Sequence, residues 1–113
     1  MAASSLEREF ETRRLQLLGD LPEPFTQYRF APPRRFRLDF AWPNKNAGGV
    51  AVECEGIMSA KSRHTTISGY SKDCEKYNLA IEKGWFVLRY TILHLRNDPD
   101  AMFEQIRRVL ESC

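Results

Sequence analysis

Three stretches of the chain carry apolar side chains at helical spacing. The first predicts a helix over about residues 6–18, and the second predicts a helix over about residues 69–83. The apolar face of this second helix is expected to consist of Tyr70, Cys74, Tyr77 and Ile81. A third helix is expected to begin near Asp98-Pro99, because acidic residues open this stretch and basic residues close it.

Four other stretches have the composition or the alternation of β-strands. They predict strands over residues 25–30, 35–42, 50–55 and 85–91. In the second strand, one face is expected to hold Phe36, Leu38, Phe40 and Trp42. In the third strand, Glu53 and Glu55 are expected to lie opposite a face formed by Val50, Val52 and Cys54. This order predicts an α/β fold in which the last strand, reached through a helix, joins the sheet in parallel.

The composition favours one globular domain over residues 1–113. Apolar residues make up 42% of the chain and charged residues 28%, which is enough apolar material for a core. The formal net charge of +2 excludes a histone-like polycation, and no apolar run approaches the roughly 20 residues of a membrane span. No signal peptide is visible, and three sparse cysteines without a CxxC pair favour a reducing cytoplasm.

Acidic residues on two neighbouring predicted strands are the most informative feature for function. Asp39 lies on one strand and Glu53 and Glu55 on the next, each among apolar residues of opposite parity. If the strands pair, the three carboxylates can project from one sheet face, where they repel one another. A divalent cation such as Mg²⁺, which takes oxygen ligands, would relieve this repulsion. The alternative is that these acids form the solvated face of a sheet.

Basic residues surround these acids in the sequence. Residues 29–76 contain nine Lys and Arg against five Asp and Glu, so this segment is more positive than the whole chain. Such a surface attracts a phosphate backbone, although an ordinary mixed-charge surface remains the alternative.

Several short segments, taken in order, resemble a known family. They are Arg37-Leu38-Asp39-Phe40, Val52-Glu53-Cys54-Glu55-Gly56, Arg63-His64-Thr65, Asp73-x-Glu75-Lys76-Tyr77-Asn78 and Gly84-Trp85-x-Val87-Leu88-Arg89. Together they resemble the PD-(D/E)XK nuclease superfamily, in particular its small single-domain endonucleases of the very-short-patch-repair-like and phage Holliday-junction resolvase kind. The resemblance implies a restriction-endonuclease-like αβββαβ core, with a mixed sheet flanked by helices and a C-terminal helix added. It also implies Mg²⁺ as cofactor, with Mn²⁺ able to substitute.

The resemblance assigns roles to individual acidic and basic residues. Asp39 matches the first metal-binding aspartate of the family, and Glu53 matches the acidic residue of the (D/E)XK half-motif. The chain departs from the family at Glu55, which stands where the motif has its lysine. Lys76 then corresponds to a lysine that has moved to the following helix. Glu55 can be a third metal ligand or the general base.

Other site residues follow from the same resemblance. Glu7 on the first helix matches a metal-binding glutamate, but Ser4-x-x-Glu7 also has the form of a helix capping box. His64, beside Arg63 in a polar loop, is expected to contact the scissile phosphate or to protonate the leaving group. The residues expected to bind DNA are Arg34, Arg35, Arg37, Lys61, Arg63 and Lys72.

The expected function is that of a Mg²⁺-dependent DNA endonuclease acting in the cytoplasm of a bacterial or phage-infected cell. A chain this short has little room for a separate sequence-reading domain, which favours recognition of branched DNA such as a Holliday junction. Cutting both strands would need a homodimer, because one site cuts one strand. The alternatives are a mismatch or flap nicking enzyme, a catalytically inactive nucleic-acid-binding module, and an interaction protein with a merely solvated acidic face.

Overall fold

Four strands form a single mixed sheet in the computed structural model, which describes residues 4–56 and 66–113. The strands are β1 (Phe25–Arg29), β2 (Arg37–Pro43), β3 (Gly49–Glu55) and β4 (Trp85–Thr91). They lie in sequence order, with β1, β2 and β3 antiparallel and β4 parallel to β3. The α/β class, the mixed sheet and the parallel addition of the last strand are therefore confirmed.

Helices cover both faces of this sheet. They are α1 (Ser5–Leu17), α2 (Ile67–Glu82), α3 (Ile92–Asn97) and α4 (Pro99–Glu111). The C-terminal helix begins as predicted, with Asp98 as its N-cap and Pro99 in its first turn. The short helix α3, capped by Thr91, was not predicted because six residues give too little periodicity. Among the described helices, none combines the length and the apolar character that a membrane span requires.

Two apolar clusters hold the helices to the sheet. The first lies between the sheet and α1, α3 and α4, and its most buried members include Phe10, Phe40, Val52, Phe103 and Ile106. The second lies against the opposite face, which α2 covers, and it includes Phe30, Leu38, Ala41, Ala51, Ala80 and Trp85. The sheet is thus enclosed between two helical layers, as expected for a sheet with a parallel strand pair.

The predicted apolar face of α2 is wrong. Tyr70 is 59% exposed and Ile81 66% exposed, and Cys74 is also exposed. The helix instead turns its polar residues Asp73 and Lys76, together with Ala80, toward the protein. The physical reason is the sheet surface beneath: β3 presents Glu53 and Glu55 there, and these carboxylates need polar partners.

The predicted alternation along β2 is also wrong. Phe36 and Leu38 pack in the cluster beneath α2, whereas Phe40 and Trp42 pack in the cluster beneath α1 and α4. The strand therefore changes its inward face at Asp39. This is the position at which its regular pairing with β3, which runs from Pro43 to Phe40, comes to an end.

Gly48 provides a test of the packing between the β2–β3 turn and the start of β4. Its φ is 71°, and a Cβ added there would lie 2.3 Å from the carbonyl oxygen of Gly84. We expect Gly48→Ala to lower the free energy of unfolding by about 1–3 kcal/mol in urea denaturation. Gly56→Ala is the matched control, because an added Cβ there meets no heavy atom within 4 Å. Equal losses in the two variants would contradict this account of the turn.

Candidate active site

Two carboxylates take the place of backbone pairing where β2 and β3 separate. The amide nitrogen of Asp39 donates a hydrogen bond of 2.6 Å to Oε2 of Glu53. In return, the amide nitrogen of Cys54 donates one of 2.8 Å to Oδ2 of Asp39. Each acid is therefore fixed by the backbone of the opposite strand. The sequence prediction that Asp39 and Glu53 come together is met by this geometry.

The environment of Asp39 disfavours its charged form. Burial raises the pKa of this carboxyl to about 7, and the nearby negative charges of Glu53 and Glu7 raise it further. The hydrogen bond from Cys54 and the charge of Lys76 act in the opposite direction without compensating. The ionised form of Asp39 would consequently be stabilised by an added cation.

Lys76 and Tyr77 reach this carboxylate pair from α2. The ammonium group of Lys76 forms an ion pair with Oε1 of Glu53, and the two residues are only 8% and 4% exposed. The Tyr77 hydroxyl lies 3.1 Å from the same oxygen and 3.2 Å from Oε1 of Glu55. Burial, followed by the charges of these two glutamates, raises the pKa of Tyr77 well above its usual value. Its hydroxyl thus remains a hydrogen-bond donor.

Glu55 is directed toward β4 and away from Asp39. Its carboxylate accepts a hydrogen bond from Nε of Arg89, and the residue is 9% exposed. The Arg89 guanidinium also lies over the Tyr77 ring, 4.1 Å from the ring centroid. The position that holds a lysine in the family motif is thus held by a carboxylate whose charge is balanced by Arg89.

Glu7 serves both roles that the sequence left open. It lies in the first turn of α1, where its amide nitrogen donates to the N-cap Ser4. Its Oε1 accepts from the Ser4 hydroxyl at 3.1 Å, and its Oε2 accepts from Nε2 of Gln27 at 2.9 Å. Because the same Gln27 nitrogen lies 3.4 Å from Oδ1 of Asp39, Glu7 also borders the site.

Sequence reasoning missed Gln27, Asp73 and Tyr77. Asp73 is buried on α2, one turn before Tyr77. A polar stripe at helical spacing, formed by Asp73, Lys76 and Tyr77, was the signal for these residues, but an apolar stripe was sought instead. For Gln27 the chain gives only an indirect signal, which is that a β1–β2 hairpin places it across from Asp39.

The predicted DNA-binding residues that the structure describes are all exposed, namely Arg34, Arg35, Arg37 and Lys72. Arg34 forms an ion pair with Glu75 and lies over the Phe36 ring. Arg37 pairs across the hairpin with a further exposed cation, Arg29. Lys61, Arg63 and His64 lie outside the described residues.

The donor set fits a hard divalent cation. Among residues 4–56 and 66–113, no three His, Cys, Asp or Glu side chains are already gathered as metal ligands. Asp39, Glu53 and Glu7 nevertheless offer only oxygen donors, which are the ligands that Mg²⁺ prefers. The raised pKa of Asp39 shows that added positive charge would be favourable there.

Comparison with protein-family models, with curated protein sequences and with solved structures finds no match.

The raised pKa of Asp39 predicts a pH-dependent contribution to stability. Between about pH 4 and pH 7 the folded protein keeps a proton on Asp39 that the unfolded chain has released, so raising the pH removes stability. We therefore expect the free energy of unfolding of the wild type, relative to Asp39→Asn, to fall by about 2–3 kcal/mol between pH 5 and pH 8. Urea denaturation without divalent ions at both pH values measures this difference.

Asp20→Asn is the control for this measurement. The hydrogen bond from Arg107 lowers the pKa of Asp20 to about 2, so its contribution is present above about pH 4 and is lost only in stronger acid. Its difference from the wild type should therefore be the same at pH 5 and pH 8. A flat profile for Asp39→Asn as well would show that Asp39 ionises normally in the folded protein.

Proposed function

We propose that this protein is a metal-dependent DNA endonuclease with a restriction-endonuclease-like catalytic core of the PD-(D/E)XK kind. One observation carries the proposal: Asp39 and Glu53 are held side by side where β2 and β3 separate, with Lys76 of the following helix on Glu53. An arrangement that only solvated these acids would not bury Glu53 and Lys76 together. The order of helices and strands also agrees with that core.

Asp39 and Glu53 are the residues that would hold the metal, and Glu7 lies close enough to contribute through the α1 side of the site. Mg²⁺, or Mn²⁺ in its place, supplies positive charge that activates water and stabilises the leaving oxygen of a phosphodiester. The protein's contribution is the fixed pair of carboxylates, which the backbone nitrogens of the opposite strands keep in place.

Lys76 takes the part of the motif lysine. Its ammonium group is buried against Glu53, where it can orient a water molecule or offset charge on the scissile phosphate. Glu55 is assigned a different part, because Arg89 and Tyr77 occupy its carboxylate. We place Glu55 in the support of these two side chains and leave metal binding to Asp39, Glu53 and Glu7.

Branched DNA is the substrate that we favour. The described residues form one α/β sandwich, and the exposed cations Arg29, Arg35 and Arg37 lie on or beside the hairpin that also carries Asp39. Contacts from such cations go to phosphates and respond to the shape of the DNA more than to its sequence. Paired nicks in a four-way junction would further require a homodimer, since each chain contributes one site.

One observation favours a second function. The acidic Glu55 stands at the motif lysine, and Lys76 is already paired with Glu53. A catalytically inactive module that binds nucleic acid would show these same features. It would bind DNA without metal-dependent cleavage, and Glu53→Gln would leave binding unchanged.

Cleavage of labelled DNA tests the two functions. We expect nicks in a four-way junction with Mg²⁺ or Mn²⁺ and none with EDTA, and compare flap, mismatched and linear duplex substrates. Asp39→Ala and Lys76→Met should each lower the rate about 100-fold or more, because each removes charge that acts on the transition state. Asp100→Ala, on the exposed start of α4, is the matched control.

The outcomes separate the alternatives. Cleavage of flaps or mismatches without cleavage of junctions would keep the nuclease and discard the resolvase. Binding of DNA without cleavage in either metal would support the inactive module. Full activity of Asp39→Ala would refute the assigned site.

Salt dependence of DNA binding tests the basic hairpin. Each cation that contacts a phosphate steepens the fall of affinity with salt. Replacing both Arg35 and Arg37 by Ala should therefore reduce the slope of log K against log salt by about 2, in fluorescence anisotropy with EDTA. Arg96→Ala is the control, because Arg96 is exposed on α3 and pairs with Glu9. An unchanged slope in the double variant would remove this hairpin from the DNA contact.

A further inference from the structure

Gln27 has an unusual backbone conformation for a residue within a strand. Its φ is 49°, and it is the only described residue other than glycine with a positive φ. The residues on either side of it pair with β2, as Thr26 does with Phe40 and Tyr28 with Leu38, but Gln27 is absent from this pairing. The position directly across from Gln27 is Asp39. The departure from regular strand geometry is therefore placed opposite the central acid of the site.

The side chain of Gln27 connects two acids that belong to different elements. Its Nε2 donates at 2.9 Å to Oε2 of Glu7 on α1 and lies 3.4 Å from Oδ1 of Asp39 on β2. Because both neighbours are carboxylate oxygens, the amide must present its NH₂ group to them. One neutral donor thus lies between two negative charges that would otherwise repel one another.

From this geometry we infer that Gln27 is a positioning residue that brings Glu7 of α1 to the metal site at Asp39. The inference rests on the proposed function and adds a residue that the motif does not contain. Apart from Gln27, the described hydrogen bonds of the Glu7 side chain lead only to Ser4, in its own helix cap. The amide of Gln27 is therefore the contact that turns the Glu7 carboxylate from the cap toward the sheet.

A role limited to stability of the sheet does not account for these features. A residue with ordinary extended geometry would keep the β1–β2 pairing regular through this position. The conformation of Gln27 gives up that regularity and gains the contacts to Glu7 and Asp39. The gain is specific to the acids, which connects the strained position to the site.

Mg²⁺ titration of the full chain by calorimetry, without DNA, tests the inference. We expect Gln27→Met to bind Mg²⁺ about 10-fold more weakly than the wild type, as is usual when a residue supporting a metal ligand is removed. In a Glu7→Gln background the same substitution should change the affinity by less than about 2-fold, because the residue on which Gln27 acts is gone. Gln16→Met, on the exposed side of α1, is the matched control.

Gln27→Gly guards against a variant that fails to fold. Glycine adopts a positive φ without strain, so this variant keeps the backbone and loses only the amide. It should match Gln27→Met in Mg²⁺ affinity while circular dichroism shows a native fold. Wild-type affinity in both Gln27 variants would overturn the inference and leave the metal-dependent nuclease standing. An equal loss in the Glu7→Gln background would overturn it too, and absence of Mg²⁺ binding by the wild type would overturn both.

Discussion

The reciprocal hydrogen bonds between Asp39 and the β3 backbone, and between Glu53 and the β2 backbone, organise the rest of this structure. They keep two acids together that would separate in water, and they end the regular pairing of the two strands at Phe40. The buried Lys76, the Tyr77 hydroxyl and the polar inner face of α2 follow from the need to satisfy the acids of β3. The site thus determines how the helix packs.

The charges of the site fall into two halves. Glu53 and Glu55 each have a cationic partner, Lys76 and Arg89. On the other side, Asp39 and Glu7 share only the neutral amide of Gln27. Because positive charge is already supplied on the α2 side, an added cation gains most where Asp39 faces Glu7. This division supports Asp39 and Glu7, more than Glu55, as metal ligands in the proposed nuclease.

The sequence predicted elements where local chemistry determines structure. Strand β4 and the start of α4 at Pro99 were found to the residue, because β-branched and aromatic residues mark the first and Asp98 caps the second. The inner face of α2 was not found, because Asp73 and Lys76 are buried by tertiary contacts that periodicity does not describe. Gln27 was missed for the same reason: its role depends on residues 20 positions before it and 12 after it.

The exchange of the motif lysine for Glu55 is best understood as a movement of positive charge. A lysine at position 55 would meet the guanidinium of Arg89, which lies beside this position on β4 and over Tyr77. A carboxylate there instead fixes Arg89, while Lys76 delivers an ammonium group to Glu53 from the helix. The charge beside the (D/E)XK acid is therefore retained although the motif is altered, because the ammonium group now comes from the α2 side of the sheet. On this reasoning the altered motif does not by itself argue for an inactive protein.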